Sequence, residues 1–144
     1  MNIANLLARK GPKVVTIRPD QTIRQALQLL AEHNIGALIV VDEGVHPVGI
    51  LSERDIVREA ARNEAVFSLV VSAIMTRDVI IGTPQDDLVF AGATMTEKRI
   101  RHLPIVDRGR LIGMVSIGDI LQAHRNELQG EVDTLQTQIL EGPA

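Results

Sequence analysis

Apolar positions along this chain follow two rhythms that alternate. Ile23, Ala26, Leu27 and Leu30 recur at helical spacing and predict a helix over Thr22 to His33, with Thr22 or Asp20 as its N-cap. Ala37 to Val41 is a short, wholly apolar run, which predicts a buried strand. Asp42-Glu43-Gly44 reads as a turn, and Val48 to Leu51 as a second strand. A second helix opens at Ser52 and runs to about Asn63. Upstream, Ile3, Leu6, Leu7 and Lys10 predict a short amphipathic helix stopped by Gly11-Pro12, and Val14 to Ile17 is β-rich and cut by Pro19. The order is strand, helix, strand, strand, helix.

The same order then recurs. Val79 to Ile81 predicts a strand, Asp87 to Lys98 a helix, Leu103 to Val106 and Leu111 to Val115 two strands, and Ser116 opens a helix. The copies align at an offset of 65 from Pro19/Pro84 to Gly44/Gly109, and of 64 from Gly49/Gly113 onward, so one residue is missing from the second turn. Identical pairs include Ala26/Ala91, Glu32/Glu97, Ile35/Ile100, Leu38/Leu103, Asp42/Asp107, Ser52/Ser116, Asp55/Asp119 and Ile56/Ile120. Each unit is too small to bury both faces of its sheet, and two stacked units solve that problem. The expected division is 1–63 (N-terminal helix and first repeat), 64–75 (a connector with some helical character), 76–123 (second repeat) and 124–144 (a C-terminal amphipathic helix). In that last segment Leu128, Val132, Leu135 and Ile139 continue a stripe begun at Leu121, at the spacing of a coiled-coil seam. Gly130 weakens it by up to about 1 kcal/mol. The stripe predicts either packing on its own domain or, slightly favoured, a dimer contact.

Composition narrows the function. Aromatic residues make up 1% of the chain, only Phe67 and Phe90. Any bound ring is therefore gripped by aliphatic side chains and backbone, and the stacking platforms of single-stranded nucleic-acid binders are missing. Net charge is -3 with no basic block, which argues against a nucleic-acid surface. With no cysteine, disulfides and thiolate chemistry are excluded. No apolar run reaches the length of a membrane span, and Met1 to Asn5 lacks the features of a signal peptide, so a cytoplasmic protein is expected.

The candidate chemistry lies in a motif present twice: Gly49-Ile-Leu-Ser52-Glu-Arg-Asp55 and Gly113-Met-Val-Ser116-Ile-Gly-Asp119. Taken singly, serine followed by an acidic residue three positions on is a helix capping box. The same geometry also suits a nucleotide. A helix N-terminus receives phosphate, the serine hydroxyl can bond a phosphate oxygen, and a carboxylate one turn on can accept from both hydroxyls of a ribose. Gly118 permits close backbone approach. The copies differ before the buried strand, where Arg101 and His102 replace Gly36 and Ala37. Two cationic groups there could neutralise a phosphate. Lys98 and Arg99 read better as a solvated charged face. His33, His46, His102 and His124 are scattered, with no nucleophile–base pair and no metal-ligand spacing, so neither catalysis nor a metal site is expected.

At Arg101-His102-Leu103-Pro104-Ile105-Val106-Asp107, Gly109, and Gly113 to Ile120, with their first-copy partners, the chain resembles a CBS-domain pair, or Bateman module. The resemblance covers roughly Val14 to Ala123 and extends to small stand-alone bacterial CBS-pair proteins. It implies an α+β fold of two β-α-β-β-α repeats packed sheet to sheet with pseudo-twofold symmetry, flanked by helices at both ends. It also implies pairing into homodimers, and adenine nucleotides in the clefts between repeats. Under it Asp55 and Asp119 hold ribose, while Ser52, Ser116 and Arg101 meet phosphate, with Arg54 compensating for the uncharged Gly36 and Ala37. Thr16, Ile17 and Pro19, and Ile81, Thr83 and Pro84, line the base. His102, Pro104, Ile117 and Gly118 complete the expected set. The expected function is a non-catalytic sensor of an adenosyl ligand, AMP before ATP, ADP, NAD(H) or S-adenosylmethionine. The alternative is a ligand-free dimerisation module.

Overall fold

The computed structural model describes residues 1–11, 14–43 and 45–141. Pro12 and the expected turn residue Gly44 lie outside them, as do residues 142–144.

The first repeat is built as its pattern dictates. Thr22 caps helix α2 (Ile23–His33) by accepting from the Gln25 N–H, while Gln25 reaches back to the Thr22 N–H. Ile23, Ala26 and Leu30 are buried on one face. Strand β2 (Ala37–Asp42) is buried at its first five positions, as its unbroken apolar run requires. It pairs in parallel with the short β1 (Thr16–Ile17) and antiparallel with β3 (His46–Ser52). Helix α3 (Glu53–Ala60) starts directly from β3, with Ser52 as cap.

The second repeat follows the same plan. Asp87 caps α4 (Leu88–Lys98), β4 (His102–Asp107) pairs antiparallel with β5 (Arg110–Ser116), and α5 (Ile117–Glu141) starts directly from β5. The register slips at Val40/Val41 in one copy and at Ile105/Val106 in the other, the same place in both. The sheets meet where β3 touches β5.

Three findings go beyond or against the expected elements. Val79 to Ile81 forms no strand; only Gly82 makes a parallel bridge, to Ile105. That bridge stands where Ile17 pairs with Val40, so the edge strand has shrunk to one residue in the second copy. The glycine there lacks the side chain that Ile17 buries in the first core. Second, α3 ends at Ala60 rather than at about Asn63, and the connector forms two 3-10 turns, Val66–Ser68 and Val71–Ala73. Third, α5 is one unbroken helix from Ile117, with no interruption at Gly130.

The chain also crosses over itself. Helix α1 (Ile3–Lys10) precedes the first repeat in sequence but joins the core of the second, where Ile3 and Leu6 are buried with Leu88, Met95, Leu103 and Val115. The connector joins the first core through Val66, Val71 and Met75. The two docking modes match bond for bond. The Ile3 and Ala4 N–H groups donate to Asp86 and Pro84 carbonyls, as those of Val71 and Ser72 donate to Gln21 and Pro19. Leu7 presses on Gly113 as Met75 presses on Gly49.

Candidate functional site

Both repeats carry the serine–aspartate motif into the same local geometry. The Ser52 N–H donates to Asp55 Oδ2 at 2.9 Å and the Asp55 N–H donates to Ser52 Oγ at 3.2 Å. In the second copy the corresponding bonds, Ser116 N–H to Asp119 Oδ2 and Asp119 N–H to Ser116 Oγ, are 2.9 and 3.0 Å. Each motif is therefore a complete capping box. That role leaves one carboxylate oxygen and the remaining serine lone pair free for another partner.

A cleft of about 490 Å3 opens where the repeats meet. The first copy contributes Ser52, Glu53, Arg54 and Asp55 from the start of α3 and Arg58 from its last turn. The second contributes Arg99, Ile100, Arg101 and His102 before and at the head of β4, with Ser116 and Ile117 at the start of α5. Thr76, Asp78, Val79 and Ile80 form a further wall, and Gly36 and Ile50 complete it. The volume falls within the usual range of small-molecule pockets. Its apolar surface comes from isoleucine and valine.

Seven expected site residues thus border one cavity: Ser52, Arg54, Asp55, Arg101, His102, Ser116 and Ile117. Thr16, Ile17, Pro19, Ile81, Thr83, Pro84, Pro104, Gly118 and Asp119 lie outside its lining. Ile17 is buried in the first core. Thr83 is tied to Asp86 through both its N–H and its hydroxyl, and the Pro84 carbonyl holds α1.

Sequence reasoning missed the wall from Thr76 to Ile80. Its signal was the Ser72 to Thr76 lead-in, which the Ile50–Thr76 bridge places beside β3. Arg58 was equally legible, four residues after Arg54 on one helix face. Arg99, read as a solvated charge, is exposed and also borders the cleft. It sits at the left-handed C-cap of α4 with φ 56°, where Asn34 (φ 52°) ends α2 in the first copy. That turn directs the chain into β4 and brings Arg99 to the cavity.

The charge balance of the lining is basic: Arg54, Arg58, Arg99 and Arg101 face Glu53, Asp55 and Asp78. Among the described residues no ion pair engages any of the four arginines. Burial holds His102 below its usual pKa, reinforced by the charges of Lys10 and Arg101 and opposed by Asp119 and Glu53. Among the described residues no group of three or more His, Asp or Glu is placed to hold a metal ion. Nor is any helix among them long and apolar enough to cross a membrane.

Asp119 has a different partner. Lys10, at the end of α1, donates to its Oδ2 at 2.6 Å and to the Met114 carbonyl at 2.7 Å. Burial pushes the Asp119 carboxyl up, but the hydrogen bonds and charge of Lys10, with those of Ser116, outweigh it and hold the group below the ordinary carboxylate value.

Comparison with known proteins agrees with this architecture. The CBS domain family model matches residues 8–62 and 71–126. CBS domain-containing protein YhcV of Bacillus subtilis is 38% identical over 108 residues, covering 75% of this chain and 76% of that protein. The mitochondrial CBS domain-containing protein CBSX3 of Arabidopsis thaliana is 40% identical over 119 residues, 76% of this chain, which spans only 58% of its length. Among solved structures, the CBS domain pair of protein MJ0100, in complex with 5'-methylthioadenosine and S-adenosyl-L-methionine, superposes with a TM-score of 0.78 at 27% identity. That match covers 88% of this chain and 98% of the other. Such pairs are in general regulatory modules. Two matched repeats, the crossed-over helical lead-ins and the inter-repeat cleft together establish that this chain belongs to the CBS domain family, as a tandem pair.

Proposed function

We propose that the chain is a regulatory adenine-nucleotide-binding module with no chemistry of its own, taking AMP or a related nucleotide in the cleft between its repeats. One observation carries the reading: Ser52 and Asp55 of the first repeat border the same cavity as Arg101, His102 and Ser116 of the second. In this reading Asp55 accepts from ribose hydroxyls, the arginines meet phosphate, and Ile50, Val79, Ile80, Ile100 and Ile117 hold the base. The basic lining favours a phosphate-bearing ligand over the cationic sulfonium of S-adenosylmethionine, because the arginines would repel a positive ligand. A ligand touching both repeats shifts whichever arrangement of them it binds better.

The test is thermal stability against AMP, ADP, ATP, NAD, NADH and S-adenosylmethionine. A ligand at 100 times its dissociation constant adds about 2.7 kcal/mol if it binds only the folded state. A phosphate-bearing ligand should raise the melting temperature, and a folded Asp55→Ala protein should lose the rise. Retention of full affinity by that variant would sink the assignment.

A second reading concerns assembly. Leu121, Leu128, Val132, Leu135 and Ile139 are all exposed on α5, so the stripe does not pack on its own domain. Its seam-like spacing supports a homodimer through α5. Leu128→Glu with Leu135→Glu should shift the sedimentation coefficient from dimer to monomer without loss of helicity. A wild-type protein that sediments as a monomer would remove this reading.

A further inference from the structure

The two repeats present the same capped carboxylate, yet only Asp55 faces the cleft. The difference begins at the lead-ins. The connector leaves its second 3-10 turn after Ala73, and Thr76 exchanges backbone hydrogen bonds with Ile50 at 2.8 and 2.9 Å. Its counterpart, α1, continues as a helix to Lys10. The Met114 carbonyl, equivalent to that of Ile50, therefore receives a side chain: the Lys10 ammonium. From that position the ammonium also reaches Asp119.

We infer that Lys10 is the residue that sets ligand occupancy in this chain: it holds the second half-site closed on its own carboxylate, leaving the Asp55 cleft as the one ligand site. The inference rests on the nucleotide reading of that cleft. A ribose approaching Asp119 meets an ammonium bonded to Oδ2, the oxygen that also accepts from the Ser116 N–H, and has only Oδ1 beside that cation to use, whereas Asp55 has no ion pair among the described residues. Helix α1 cannot simply drift away with its lysine. Ile3 is fully buried, Leu6 nearly so, and the Ile3 and Ala4 N–H groups are bonded to the second repeat. The contact is made by two partly exposed side chains, Lys10 at 34% and Asp119 at 29%, and the docked backbone of α1 keeps the lysine in place. Replacing that one side chain should therefore open the half-site.

The experiment is calorimetric titration with AMP, and separately with 5'-methylthioadenosine, of wild type, Lys10→Met and Lys10→Arg. Methionine keeps the apolar stem and removes the cation; arginine keeps a cation. The expected result is one more site per chain in Lys10→Met than in wild type, lost again on adding Asp119→Ala, and no extra site in Lys10→Arg. Equal numbers of sites in wild type and folded Lys10→Met would overturn the inference, as would a site lost with the lysine. The nucleotide reading fails separately, if Asp55→Ala leaves wild-type binding unchanged. Circular dichroism and urea unfolding confirm that each variant is folded.

Discussion

The Asp55 and Asp119 half-sites have nearly the same motif and nearly the same hydrogen bonds, yet their surroundings make them different objects. At Asp55 the helix start opens into a cavity walled by the opposite repeat and lined with arginines. At Asp119 a helix from the other end of the chain places a lysine on the carboxylate. The capping box is a local device that each repeat builds alone. What lies against its aspartate is set by segments outside the repeat. A duplicated motif therefore specifies duplicated local structure, and duplicated function does not follow from it.

The largest expected effect separates the two walls of the open cleft. Arg101→Ala removes a charged donor from the second-repeat side. Losing a hydrogen bond to a charged group costs about 1.5–3 kcal/mol, roughly a tenfold to hundredfold loss of affinity. That loss should appear for AMP and ATP and be nearly absent for 5'-methylthioadenosine, which has no phosphate. Asp55→Ala should weaken all three. Equal losses for charged and uncharged ligands in Arg101→Ala would mean that the arginine shapes the pocket and does not meet phosphate.

Next comes the contrast between the two lead-ins. A Cβ on Gly49 would stand 2.6 Å from Met75 Sδ and 3.0 Å from the Thr76 carbonyl oxygen; one on Gly113 would stand 2.8 Å from Leu7 Cδ2. Side chains can yield, but the Thr76 backbone is held by its bridge to Ile50. Overpacking costs about 1–3 kcal/mol, and Gly49→Ala should fall near the top of that range with Gly113→Ala near the bottom. Urea unfolding of both variants checks the order. The reverse order would show that α1 is docked more rigidly than the connector.

Acid should also distinguish the repeats. The folded pKa of Asp119 is depressed, so its contribution to stability is complete above the ordinary carboxylate value and is lost as pH falls through the folded one. His102 is depressed too. It stays neutral in the fold where the unfolded chain would be protonated, so its contribution is complete above the usual histidine value of 6.5 and is lost as pH falls below that toward the folded value. Urea midpoints should fall on acidification in both windows. Lys10→Met should flatten the lower one, and His102→Gln the upper one. An unchanged acid profile in Lys10→Met would remove the lysine as the cause of the Asp119 shift.

Much of this was legible in residue order. The repeat, the capped helices, the buried Ala37 to Val41 and the paired serine–aspartate motifs all follow from short-range pattern, where spacing and side-chain chemistry decide. What spacing could not supply was which lead-in crosses to which repeat. Ile3, Leu6 and Leu7 announce an apolar helix face, but nothing in their period says that the face lies on Leu88 and Leu103. The Lys10–Asp119 pair, between residues far apart in sequence, was invisible for that reason. The Thr16 to Pro19 and Ile81 to Pro84 stretches fall outside the cleft because Ile17 is spent on the core and Gly82 bridges to β4.

The smallest expected effect bears on Arg99. Asn34 and Arg99 end equivalent helices in the left-handed conformation. Asparagine visits that region readily, whereas a long side chain is strained there, by about 1 kcal/mol. The second repeat thus keeps a less comfortable residue at a C-cap that borders the cleft. Arg99→Asn copies the first repeat's solution into the second. It should raise stability by about 0.5–1 kcal/mol in urea unfolding and weaken AMP binding in calorimetry, since a cation leaves the cavity wall. Opposite signs in the two measurements are what a functional charge on a strained cap requires. A stabilised variant with unchanged affinity would make Arg99 a solvated charge that happens to lie beside the ligand. A destabilised one would show that the arginine side chain holds the turn itself.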